Sequence, residues 1–214
     1  MDTEEPVTQE DYMIDEDGLV QVDVHCALRL KPPRGLLPVY FSYASGDFSV
    51  SSMAIKSLEG CPRTVEGNFD CSHNALTTLQ FAPSRVHDMD ASFNKLENLT
   101  RCPDVSRGEL LINNNRFTSL VTAPPCKFLY ATFNPLEGFA DLPSHVAHIQ
   151  VTYRPYLPLL GLLKAREIWI SDSDGRRLED LEQILNRYAG QGEAGAFSCG
   201  AELATAGYKE NAKW

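Results

Sequence analysis

A mostly-β solenoid of short parallel strands, closed by helices at its C-terminal end, is the fold class this sequence predicts, and three observations predict it. A phrase of about 20 residues recurs from residue 46 onward. Within it, apolar residues return at positions 3, 5, 10 and 13. Asparagine and proline return at positions 8 and 17, offsets that a set of accidentally spaced strands would not keep. The clearest copy is Gly67 to Leu79, and the others open at Gly46, His87, Gly108 and Lys127. Position 3 reads Phe48, Phe69, Met89, Leu110 and Leu129, and position 5 reads Val50, Cys71, Ala91, Ile112 and Ala131. Position 8 is Met53, then Asn74, Asn94, Asn115 and Asn134, while position 17 is Pro62, Pro83, Pro103, Pro124 and Pro143.

Each element follows from side-chain geometry. Positions 3 and 5 are two apart, so their side chains share one face of an extended segment, and each copy supplies one strand. Positions 10 and 13 add apolar side chains to the same interior. An asparagine amide both donates and accepts, so a buried Asn at position 8 suits the corner where the strand ends and backbone groups lack ladder partners. Proline has no N–H to give a ladder and belongs on the irregular return. A single copy cannot bury its own apolar columns, and stacking makes the core. The expected architecture is an α/β to mostly-β leucine-rich-repeat solenoid over 46–174, with five clear repeats and two degenerate ones. The degenerate copies keep Ile149 and Val151, then Ile168 and Ile170, but Arg154 stands where Asn is expected.

Four regions are expected. Residues 1–17 carry eight acids and no Lys or Arg, so about −8 of the net charge of −10 lies there, and the remaining 21 acids face 19 basic residues. Residues 1–18 therefore read as a disordered, solvated acidic tail. The alternation Val20, Val22, Val24, Cys26, Leu28, Leu30 predicts a strand in an N-terminal β-cap over 19–45. After the solenoid, residues 175–214 read as a C-terminal helical cap. Leu178, Leu181, Ile184, Leu185 and Tyr188 mark the first helix. The second spans roughly Glu193 to Ala206, with Phe197, Cys199 and Leu203 expected to face the solenoid.

The chemistry expected of such a chain is binding, not catalysis. Its five histidines are dispersed, its six cysteines form no CxxC pair, and no Gly-rich loop is followed by Lys. No cofactor or metal is called for, and the absence of a basic stripe disfavours nucleic acid. No apolar run is long enough to span a bilayer and the N-terminus is acidic, so a cytoplasmic protein with reduced cysteines is expected. Even positions of each strand point away from the core. They grade from acidic (Asp47, Asp70, Asp88, Asp90) to apolar and aromatic (Leu111, Phe128, Tyr130, Trp169), and position 6 is read as part of the same face. Position 7 adds Phe93, Phe133 and Tyr153 at the edge. Exposed aromatics on adjacent rungs mark an interface, so these eleven residues form the expected partner-binding set, for a protein with a basic patch beside an apolar pocket.

The phrase "GNFDCSHNALTTL", with the lead-in "LPVYF…SGDFSV" and the ending "ILNRYAGQGEAGAFSCGAELATAGYKENAKW", resembles leucine-rich-repeat proteins encoded by tailed bacteriophages. The likeness covers about residues 36–214. It implies a phage-encoded protein; joined to the binding face above, the expectation is a non-enzymatic protein that engages a bacterial host protein in takeover or evasion of defence, inhibition being one outcome of that engagement, and the alternative is a structural or assembly component of the phage particle. The period also resembles the repeats of secreted bacterial ubiquitin-ligase effectors. Those carry a large catalytic domain after the repeats, for which the residues beyond Asp174 have no room.

Overall fold

The structure, a computed structural model, describes residues 12–23, 25–29 and 31–214, the side chain of Pro33 excepted. It is a mostly-β parallel solenoid of about seven turns. In chain order the strands are β1 (Tyr12–Ile14), β2 (Val20–Val22), β3 (Cys26–Ala27), β4 (Phe41–Ala44), β5 (Phe48–Ser49) and β6 (Thr64–Val65). There follow β7 (Phe69–Asp70), β8 (Met89–Asp90), β9 (Val105–Leu111), β10 (Cys126–Tyr130), β11 (His148–Thr152) and β12 (Glu167–Ser171). Helices α1 (Glu179–Tyr188) and α2 (Glu193–Thr205) close the chain.

Eight strands form the main sheet in the order β12-β11-β10-β9-β8-β7-β5-β3, every pair parallel. Position 3 pairs with position 3 throughout: Phe48 with Phe69, Phe69 with Met89, Met89 with Leu110, and onward to Ile149 with Ile168. The columns at positions 3, 5, 10 and 13 are buried along the solenoid. Phe48 and Phe69 stack at 6.4 Å.

The asparagines line up as a ladder. Asn94 Nδ2 donates to the carbonyls of Cys71 at 3.0 Å, Ala91 at 3.2 Å and Ser92 at 3.2 Å, while its Oδ1 accepts the amide of Leu76 at 2.9 Å. Asn74, Asn115 and Asn134 repeat the pattern one rung away on either side and beyond, each tying its own corner to the preceding coil. Met53, where the first Asn is missing, is 1 % exposed and simply extends the core. At the degenerate sixth copy no asparagine stands at the ladder position, and just beyond that corner Asn211 Nδ2 donates to the carbonyls of Arg154 at 3.1 Å and Leu157 at 2.9 Å.

The N-terminal segment differs from expectation. The single alternating strand is divided between two sheets, because β2 joins the smaller sheet β1-β2-β4-β6 whereas β3 pairs with β5 and starts the main sheet one rung early. Val24 and Leu30 of that stretch lie outside the described residues, as do residues 1–11 of the expected acidic tail. Residues 12–18 stay largely exposed, but they are folded rather than a disordered tail. β1 pairs antiparallel with β2, and the Asp15 carboxylate holds the intervening turn by accepting the amides of Asp17 and Leu19.

At the other end, α1 lies along the free edge of β12 and completes its hydrogen bonding. Asn186 accepts the Ile168 amide at 2.8 Å and donates to the Ile168 carbonyl at 2.7 Å, and Glu182 accepts the Ile170 amide at 2.8 Å. Glu182 is buried and paired with Arg177. On α2 the buried residues Gly195, Cys199 and Leu203 recur every four positions and form the inward face. Phe197 is 89 % exposed, a correction to its expected inward placement: two residues from Cys199 on a helix, it falls off the packed face.

Candidate functional site

The parallel register places positions 2 and 4 of neighbouring copies side by side on the outward face. Glu109 lies opposite Phe128, His148 opposite Glu167, Leu111 opposite Tyr130, and Gln150 opposite both Tyr130 and Trp169. Three strands, β10 to β12, thereby bring Phe128, Tyr130, His148 and Trp169 into one cluster. Phe128 is 4.7 Å from His148, 5.9 Å from Trp169 and 6.5 Å from Tyr130 between ring centroids. Trp169 reaches back over His148, its ring 6.2 Å away and tilted by 28°. Every ring is half-buried because the rings cover one another.

Two carboxylates bracket the cluster. Glu109 lies near Tyr130, whose phenol is pushed up by burial and, next, by the Glu109 carboxylate. Glu167 Oε2 lies 3.0 Å from His148 Nδ1. The Lys127 ammonium stands over Phe128, 5.2 Å from its centroid. His148, Glu109 and Glu167 complete a site of which the sequence had marked only the large apolar members. All three sit in the position-2 column, and that shared column was the available signal.

The acidic half of the face has a second occupation. Asp47 Oδ1 accepts the Asn68 amide at 2.7 Å, and Asp88 Oδ1 accepts the Glu109 amide at 2.8 Å, each bridging to the next coil. This is why Gly67 and Gly108 open their copies: a Cβ would meet the Asp47 carboxylate at 2.4 Å or the His87 carbonyl at 1.8 Å. Asp70 and Asp90 hold the amides of Ser72 and Ser92 two residues on, at 2.9 Å and 2.8 Å. These four acids thus each fasten a backbone amide, and Asp47, Asp70 and Asp88 also meet His25, the Ser49 hydroxyl and His87 respectively.

Comparison with models of known protein families and with curated proteins returns no match.

The edge positions divide. Phe93 and Phe133 are 47 % and 41 % exposed, and both take left-handed φ, 56° and 55°, where a bulky side chain is strained. His73 stacks on Phe93 at 4.2 Å and extends the same edge. Tyr153 belongs elsewhere: its hydroxyl donates to Asn211 at 3.2 Å and its ring meets Tyr208 edge-on at 5.9 Å, so the C-terminal segment covers it. Position 6 leaves the face at four of the seven copies. Ser72, Ser92, Thr132 and Ser171 are buried, tucked under the corner, and Ser51 and Ser72 hydroxyls lie 3.0 Å apart.

Among the described residues no group of three or more His, Cys, Asp or Glu side chains could hold a metal ion, and no helix is long and apolar enough to cross a membrane. The cysteines are all free, and burial raises each thiol, Cys61 and Cys126 to about 12. A thiol held protonated in an apolar column is a packing group rather than a nucleophile.

Proposed function

We propose that this chain is a leucine-rich-repeat protein of the phage-encoded group its repeats resemble. Its outward sheet face binds a bacterial host protein in the host cytoplasm and inhibits it. The observation that carries the reading is the ring cluster Phe128–Tyr130–His148–Trp169 on three adjacent strands, bordered by carboxylates. Aromatic side chains grouped on a rigid sheet are the residues that dominate protein interfaces, and they give up little conformational freedom on binding. The stacked Asn ladder and parallel register support the repeat class. The α1 contacts to β12 support a C-terminal cap, since they satisfy an edge that would otherwise recruit another chain.

The test is capture from bacterial lysate, with and without phage infection, on the immobilised full chain and on its Trp169→Ala and Tyr130→Ala variants. The expected result is one identified host protein whose affinity falls about 30-fold in the Trp169 variant, as for a central anchor. Retention of virion proteins alone would establish an assembly role in its place. Equal capture by all three proteins would refute the face as the interface.

A further inference from the structure

We propose that the side chain received by this ring cluster is an arginine of the partner, presented beside an apolar residue; the inference rests on the binding reading above. Charge decides the sign. Positions 2 and 4 of the seven copies carry six carboxylates, Asp47, Asp70, Asp88, Asp90, Glu109 and Glu167, and no Lys or Arg. A glutamate-rich or phosphorylated segment laid along this face would meet like charge on five of the seven copies, whereas a cationic segment is drawn to it.

Geometry then selects the cation. The rings of Phe128 and Trp169 are 5.9 Å apart and form a broad, half-exposed surface on which a planar guanidinium stacks. Glu109 and Glu167 stand at its two ends, on β9 and β12, so donors at the rim of a stacked guanidinium have a carboxylate on either side. Arginine alone combines stacking with in-plane donors; an ammonium is a hydrated point charge. Leu111 and the Phe128 ring supply the apolar neighbour surface.

The chain itself already places a cation there. Lys127 Nζ lies 5.2 Å from the Phe128 centroid, and Lys127 is exposed on the strand's outer end. Its ammonium shows the ring accepting positive charge and also competes for it. An incoming arginine displaces Lys127, so removal of that ammonium strengthens arginine binding.

The experiment uses the full chain carrying Trp214→Phe, leaving Trp169 as its one fluorophore of that type. The probes are acetylated, amidated hexapeptides alternating leucine with arginine, citrulline, lysine or glutamate. The arginine peptide is expected to quench or shift Trp169 emission with half-saturation about tenfold below that of its uncharged citrulline isostere. Lys127→Met lowers the arginine half-saturation further, by about threefold, and Glu109→Gln raises it by a similar factor. Equal binding of arginine and citrulline peptides, or tighter binding of the glutamate peptide, overturns the inference. If Trp169→Ala still abolishes capture of the host protein while citrulline matches arginine, the docking face stands and only the arginine anchor falls. If Trp169→Ala leaves capture unchanged, both fall.

Discussion

Asn94→Ala tests the link between the Asn ladder and the stacking of coils, and its cost can be worked from the bonds it breaks. The Leu76 amide loses its acceptor, Asn94 Oδ1 at 2.9 Å, in a place where both residues are buried. An orphaned buried N–H costs about 1–3 kcal/mol. The Cys71 and Ala91 carbonyls each lose one donor but keep another, from Asn74 and Asn115 respectively. Those losses are worth about 0.5–1.5 kcal/mol together, since net hydrogen bonds contribute that order each and the carbonyls stay paired. The expected destabilisation is about 2–4 kcal/mol. Asn74→Ala breaks an equivalent set around a half-buried side chain that water can reach, so it should cost clearly less. Asn94→Asp should not rescue, because a carboxylate accepts from Leu76 but faces three carbonyl oxygens. Urea unfolding followed by far-UV circular dichroism reads the difference, provided the denaturant slope is unchanged. A change within 0.5 kcal/mol for Asn94→Ala, the range of a neutral surface substitution, would refute the ladder as a structural device.

Three further outcomes are expected. Arg177→Met leaves the buried Glu182 carboxylate without its charged partner and should destabilise the chain, with faster hydrogen exchange at the Ile168 and Ile170 amides as α1 loosens from β12; unchanged exchange there would contradict the docking described. Leu203→Ala should cost about 2–5 kcal/mol and Phe197→Ser under about 0.5, which reads directly which side of α2 packs. Stability should hold up to about pH 9 and fall above it, because Cys61 and Cys126, ordinarily near 9.0, are raised to about 12 in the fold. The unfolded chain then binds fewer protons than the folded one over that window, so unfolding becomes easier as pH rises. Urea midpoints between pH 7 and 11 check it, and Cys61→Ala should flatten part of the slope; a constant midpoint would disprove it.

What the sequence disclosed was whatever repeats at a fixed offset. Phe69, Cys71, Asn74, Leu76 and Leu79 recur at constant spacing, and all lie where their columns demand. A further core column escaped, made of Val65, Val86, Val105, Cys126 and Val146, all buried. These residues sit one to three places before position 1, and the return loops vary in length, so the column floats in register. The rung at Cys26 was missed because it was read together with Val20 and Val22, which share its alternation but belong to another sheet. The bond from Asn211 to the Arg154 carbonyl was beyond any local pattern, since 57 residues separate donor and acceptor. Of the expected site, Phe128, Tyr130 and Trp169 were found from strand parity alone. Tyr153 has the same sequence credentials as Phe133, and only the returning C-terminal segment distinguishes them.

The division of the face into an acidic and an aromatic half has a cause in the backbone. The strands β5, β7 and β8 are two residues long, and there Asp47, Asp70, Asp88 and Asp90 supply acceptors for amides around these brief ladders. Their geometry is dictated by the coil they fasten, so none is interchangeable with a ring. From β9 onward the strands lengthen to between five and seven residues, and the main chain satisfies more of itself. Position 4 is then released from fastening and is occupied by Leu111, Tyr130, Gln150 and Trp169. Aromatic side chains accumulate where the fold makes no demand on them, and there an interface can be built without loosening the coils. The acids left behind still set the charge of the whole face. One structural economy thus accounts for both the acidic half of the face and the ring cluster that follows it along the same sheet.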